Sequence, residues 1–297
     1  MDNVEDQNFS KEHQQSSPKD WFASLPSVQD TKRRLYNPNL RTPEAQAVWD
    51  KLPGFLQDNK DLLLTKMGAK DAVVHLHGST LLGVSTDGKR KEESPYIWEL
   101  QPSDVDLVVF VDDSNLSVHE GDTKVFQFVM ESGMEDVLGR QGEGVLVSKA
   151  NLERQLKSVC QKTLTGDELT FEENSGLYFM TSFFGSDALF ESSHGKEAQW
   201  RNELLKTILD TPGGEDVWNT KIREMFNTYV VNYETNSFGS DASGHENRVA
   251  RAFDKIASAK EKPDEIKRLA ADYLRDRRAS IQLPPFEELR SLRPHLV

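Results

Sequence analysis

Asp104-Val105-Asp106-Leu107-Val108-Val109-Phe110-Val111-Asp112 spans residues 104–112 of the 297-residue chain. The run from Leu107 to Val111 is wholly apolar and mostly β-branched or aromatic, which predicts a strand buried on both faces. Two acids stand at its entrance. Residues i and i+2 of a strand share a face and lie roughly 6.5–7 Å apart along the chain. Carboxylates at the mouth of a core strand are costly unless something compensates for their charge. A hard divalent cation bound through oxygen is one such compensator, and a two-metal site needs ions only about 3.5–4 Å apart. The plain alternative is a pair of solvated strand-end acids.

Upstream, Ala72-Val73-Val74-His75-Leu76-His77 is a short β-type run that stops at Gly78-Ser79, and Thr80 to Gly83 begins a helix or tight turn. A strand running through Gly-Ser into a helix start offers backbone N–H groups and a hydroxyl to phosphate. Glycine there also lets the backbone come close to a ligand. Gly-Ser is equally common in ordinary turns, so taken alone it is a weak signal. Residues 84–102 are polar and carry Lys89, Arg90 and Lys91. They predict a long loop whose cations either meet phosphate or are simply solvated.

The conjunction says more than either part. Leu76-His77-Gly78-Ser79, Gly83 and then Asp104-Val105-Asp106-Leu107 resemble the signature of the polymerase-β-like nucleotidyltransferase superfamily, across roughly residues 72 to 112. The resemblance implies an α/β (α+β) fold with a mixed-sheet nucleotidyltransferase core, followed here by a helical C-terminal domain. It further implies that Gly78 and Ser79 contact a nucleoside triphosphate, ATP by expectation. Asp104 and Asp106 would bind Mg²⁺ or Mn²⁺ and serve as catalytic residues. The family also places a third carboxylate on a neighbouring strand. Glu172 is chosen for that catalytic and metal-binding role, with Glu168 and Glu173 as competitors and Asp187 as a lesser candidate. The stretch between Gly83 and Asp104 is longer than in small family members and requires an insertion.

Elsewhere the pattern alternates and then turns helical. Residues 1–20 predict a disordered acidic tail, 21–195 the transferase domain and 196–297 the helical domain. Thr42-Pro43-Glu44 predicts a helix start, with Pro53-Gly54 ending that helix. A second short helix is expected to stop at Gly68. Lys124–Leu138 and Ser148–Leu164 have helical spacing. Leu169 to Glu173 and Leu177 to Phe184, separated by Asn174-Ser175-Gly176, predict a β-hairpin. Beyond Ala198 the spacing is helical.

The net charge of −13 argues against a general nucleic-acid coat. Residues 248–297 hold 12 Lys/Arg against 8 Asp/Glu, a balance of +4 on an otherwise acidic chain. That keeps a tRNA-sized RNA open as acceptor beside a protein side chain or a small molecule. Arg275, Arg277 and Arg278 are read first as complements of a helix dipole, and second as a grip on nucleotide or RNA. No stretch has the apolar length of a membrane span and no secretory leader is visible. The single Cys160 fits a reducing compartment, so a cytoplasmic location is expected. His75 and His77 share a strand face but lack further zinc ligands. Walker A, Gly-x-Ser-x-Gly and Gly-x-Gly-x-x-Gly patterns are absent. The activity that the resemblance implies is transfer of a nucleoside monophosphate to an acceptor hydroxyl with release of pyrophosphate. The alternatives are a catalytically inactive nucleotide-binding or regulatory module of the same fold, and a soluble α/β protein with a fortuitous Asp-x-Asp.

Overall fold

The computed structural model describes residues 18–36, 38–41, 43–81, 104–113, 116, 122–227, 264, 267–268 and 282–296. The expected tail up to residue 17, the loop with Lys89–Lys91, Gly83 and the arginines at 275–278 lie outside the described residues.

Among the described residues the chain is mixed α/β, with a four-stranded sheet in the order β3-β2-β1-β4. Helix α1 (Pro26–Leu35) precedes α2 (Pro43–Asp58) and α3 (Lys60–Met67). Strand β1 (Ala72–His77) runs into the short helix α4 (Gly78–Leu81), and β2 spans Val105–Val111. Helices α5 (Asp122–Ser132) and α6 (Met134–Leu138) lead to β3 (Gly142–Ser148). Next come α7 (Lys149–Thr165), α8 (Phe171–Gly185), β4 (Phe190–Glu191) and α9 (Lys196–Asp210). Short helical pieces follow from Gly214 to Met225, and a last helical turn spans Phe286–Arg290.

The apolar run at 107–111 forms the strand expected of it, and its alternation divides the core. Val108 and Phe110 join one buried cluster with Val73, Val147, Leu156, Phe183 and Trp200. Val105, Leu107, Val109 and Val111 join another with Leu52, Leu56, Leu63, Phe128 and Val129. Helices α7, α8 and α9 therefore cover one face and α2, α3, α5 and α6 the other, a three-layer arrangement. Strand β2 pairs antiparallel with β1 and parallel with β3. Parallel neighbours need a crossover, which α5 and α6 supply by packing on the second face.

Three expectations are corrected. Pro53 does not end α2, which continues to Asp58. The proline removes one backbone donor, while Leu52, Phe55 and Leu56 are buried on either side of it and hold the helix to the sheet. Gly68 does cap α3, at φ 66°. Residues 171–185 form a helix rather than a hairpin. Thr170 accepts from the Glu173 N–H while Glu173 accepts from the Thr170 N–H, a reciprocal capping box at the helix start. The helix is buried nearly all round from Leu177 to Gly185, so no 3.6-residue stripe marks it in the sequence. The third correction is β3, in a segment for which no strand was expected.

The expected division near Gly195 falls inside a shared core. Trp200, Leu204 and Leu205 of α9 lie in the cluster that holds Val108 and Phe183. That cluster also takes in Phe22 and Val28 near one end of the described chain and Leu283, Phe286, Leu289 and Leu292 near the other. Ser27 Oγ donates to Glu288, Thr31 Oγ1 to the Gln282 carbonyl and Trp218 Nε1 to the Pro284 carbonyl. Trp21 stacks on His295 with ring centres 4.0 Å apart. Among the described residues no helix is long and apolar enough to cross a membrane.

Candidate functional site

The C-terminal end of β1 meets the N-terminal ends of β2 and β3 at one edge of the sheet. In the β1–β2 ladder His77 is opposite Asp106, and in the β2–β3 ladder Asp106 is opposite Glu143. Register partners point to the same side of a sheet. His77, Asp106 and Glu143 therefore form one transverse row, on the face covered by α7, α8 and α9. Asp104 lies one residue before the first paired residue of β2 and is half-buried, like Asp106. Glu143 is exposed to solvent.

Gly78 closes the corner. Its φ is +64°, in the left-handed region where a Cβ is disfavoured, and a Cβ built on it would collide with Asp106 Oδ2. The Asp106 carboxylate thus packs directly against the backbone that turns from β1 into α4. Asp106 and the corner expected to receive phosphate are on the same side of the sheet, and Asp104 lies two residues before Asp106 at the mouth of the same strand. Ser79 is the second residue of α4.

Glu172 is not part of this arrangement. It lies in the first turn of α8, exposed to solvent. Phe171, Tyr178 and Ser182 fall along the α8 flank that faces β1, and helical spacing turns Glu172 about 100° away from it. Glu173 is committed to the helix start: it also accepts from Ser158 Oγ and pairs with Lys162 Nζ at 2.8 Å. Burial pushes the Glu173 carboxyl up, but the hydrogen bonds from Lys162, Thr170 and Ser158 outweigh it and bring it down to about 2. Asp187 pairs with Lys32, and Ser186 before it bonds His75 rather than His77. The carboxylate on the strand beside Asp106 is Glu143. It sits in Gly142-Glu143-Gly144, and both glycines are required by packing. A Cβ at 142 would press on Met134 Sδ and Val129, and one at 144 would strike the Leu107 carbonyl. An acid framed by glycines before the apolar run Val145-Leu146-Val147 is the signal that could have located it.

Behind the row lies a polar seam. His77 Nδ1 is hydrogen-bonded to Ser182 Oγ at 3.1 Å and its Nε2 to the Tyr178 hydroxyl. His75, fully buried two residues earlier, is bonded through Nδ1 to Ser186 Oγ at 2.9 Å. Ser186 Oγ gives its one proton to the Ser182 carbonyl, so His75 must donate from Nδ1. Burial holds the His75 imidazole well below its ordinary range, and the nearby cations of Arg201 and Lys32 add to that. Arg201, also fully buried, donates to the Phe183 and Ser186 carbonyls and pairs with Glu197 and Asp20. Burial works against its charge, but the surrounding carboxylates prevail and its pKa is raised. Cys160 is buried on the inner side of α7, where burial pushes its thiol up to about 11. That is the inert state expected of it.

Among the described residues no three His, Cys, Asp or Glu side chains are gathered closely enough to hold a metal ion by themselves. The donors at the corner are nevertheless all carboxylate oxygens. Mg²⁺ is commonly bound by one or two such carboxylates with the remaining positions filled by substrate phosphates and water, and Asp104 and Asp106 fit that mode. No protein-family model, curated protein or solved structure matches the chain.

Proposed function

We propose that the chain is a Mg²⁺- or Mn²⁺-dependent nucleotidyltransferase that moves a nucleoside monophosphate from a nucleoside triphosphate, ATP as the first candidate, to an acceptor hydroxyl. The observation that carries this reading is the packing of Asp106 Oδ2 against Gly78, with Glu143 next to Asp106 in the same row. That places carboxylates beside a backbone corner stripped of side chain, as phosphate binding requires.

In this reading Asp104 and Asp106 hold the cation. Gly78 leaves the backbone open to phosphate oxygens and, with Ser79, turns N–H groups toward them. The bound cation would supply neutralisation of the triphosphate charge and acidify the acceptor hydroxyl. Glu143, exposed at the edge of the row, takes the third-carboxylate role in place of Glu172: it orients the acceptor and receives its proton on a carboxylate oxygen. The acceptor oxygen forms a bond to the α-phosphorus, the bond from that phosphorus to the bridging oxygen breaks, and pyrophosphate leaves with the electron pair. RNA, protein and small molecules all carry a suitable hydroxyl, and the exposed row favours none of them.

The test is incubation of the full chain with α-³²P-labelled triphosphates, Mg²⁺ and acceptor mixtures, with Asp106→Ala and Glu143→Gln in parallel. Label transfer that these variants abolish supports the reading. Transfer that they leave unchanged removes it. Triphosphate binding without turnover in the wild type points instead to the binding-only module.

A further inference from the structure

Helix α8 and strand β1 are joined by a ladder of hydroxyls and imidazoles. Tyr178, Ser182 and Ser186 recur every four residues along the helix side, and His77 and His75 recur every two along the strand. Four helical residues advance about 6 Å and two strand residues about 6.6–6.8 Å, so the two spacings nearly coincide and the rungs stay aligned. Ser182 and Ser186 are 2% and 1% exposed and His75 is 0% exposed. Sliding α8 by one residue would leave these groups buried without partners, which is costly for each of them. The seam therefore fixes α8 against β1 in one register.

The two rungs differ in what lies beyond them. The His75 rung ends in the core, against Phe110 and Phe183. The His77 rung ends at the corner: His77 immediately precedes Gly78 and is opposite Asp106. Its ring is held at both nitrogens, by hydroxyls one helical turn apart, so neither its rotamer nor the end of β1 is left to the turn alone. Hydroxyls both donate and accept, so this grip is kept whichever nitrogen carries the proton.

We propose that His77, clamped by Tyr178 and Ser182, is a positioning residue for the Gly78–Asp106 corner, acting on triphosphate and metal affinity without touching either ligand. The proposal rests on the transferase reading and names the residues that set its geometry.

The experiment compares two cuts in one seam: Tyr178→Phe at the corner rung and Ser186→Ala at the buried rung. The affinity of the full chain for Mg²⁺ with α,β-methylene-ATP is measured by calorimetry, and melting temperature alongside. Tyr178→Phe is expected to weaken binding about fivefold, the worth of one hydrogen bond, and to raise the KM for ATP with kcat changed less than twofold. Ser186→Ala is expected to lower the melting temperature and leave affinity within twofold. Equal losses of affinity in both variants, or none in either, overturn the positioning role. If Tyr178→Phe folds poorly, Ser182→Ala makes the same cut at the other ring nitrogen. A wild type that binds no Mg²⁺–nucleotide overturns the transferase reading, and the positioning role with it. A wild type that binds normally beside an unaffected Tyr178→Phe overturns the positioning role alone.

Discussion

Asp106 Oδ2 occupies the space in which a side chain on residue 78 would begin. Two segments separated by the whole of residues 79–105 are thus fitted to each other at the level of a single carbon atom. The consequence for substitution is direct. Gly78→Ala puts a Cβ into both a left-handed backbone and a carboxylate oxygen. We expect about 1–2 kcal/mol of lost stability from the backbone alone, read by denaturant unfolding. Displacement of Asp106 should also lower Mg²⁺–triphosphate affinity at least tenfold in calorimetry.

Asp106→Ala and Asp104→Ala should leave the circular dichroism spectrum unchanged and reduce label transfer by about 10²-fold or more, in line with losing charge stabilisation in a transition state. Glu143→Gln should fall with them. Glu172→Gln, at an exposed helix position, should stay within twofold of wild type. If the last two outcomes are exchanged, the register of β3 has been given the wrong function.

That pair of glutamates marks where the sequence was legible and where it was not. The strand at 107–111 announced itself because residues buried on both faces form an unbroken apolar run. The same all-round burial hid α8. Its aromatic and hydroxyl residues read as strand, and Asn174-Ser175-Gly176 read as a turn, because a helix without a polar side has no 3.6-residue signature. Strand β3 is hidden in the sequence for the opposite reason. Gly142 and Gly144 are there because α5, α6 and β2 press against them, yet in the sequence they resemble a loop between two helices. The spacing of the Asp-x-Asp is a local pattern that can be read from the sequence, whereas Glu143 reaches the row only through parallel pairing, which no local pattern encodes.

Thr170→Ala should destabilise the chain by about 1 kcal/mol through loss of the helix N-cap, measurable as a shift in urea midpoint with an unchanged slope. Glu173, whose carboxyl lies near 2 in the folded chain against an ordinary 4.5, stabilises it above pH 4.5. That contribution is lost as pH falls from 4.5 toward 2.

His75 gives a second pH window. Its imidazole is held well below the ordinary 6.5 in the folded chain, so the unfolded chain binds a proton first as pH falls. Stability should therefore decline on going from pH 7 to pH 5 and be restored on return. In His75→Gln the decline across that interval should be shallower, as measured by denaturant unfolding at each pH.

Arg201→Met should cost about 3–5 kcal/mol, because Glu197 and Asp20 lose the cation that pairs with them in the core. Double replacement with Glu197→Gln should recover part of the loss. A thermal melt of the two variants side by side distinguishes an unpaired buried charge from simple loss of packing.

The interlocking of residues 18–36 with 283–296 has a bearing on biosynthesis. Phe22, Val28 and Leu35 are synthesised well before Phe286, Leu289 and Leu292, which lie in the same buried cluster. The buried side of α1 must then wait for that part of its covering until residues 282–292 have been made. Chains interrupted before residue 282 would lack that covering and leave part of this core exposed, making stalled products natural clients of chaperones and proteases.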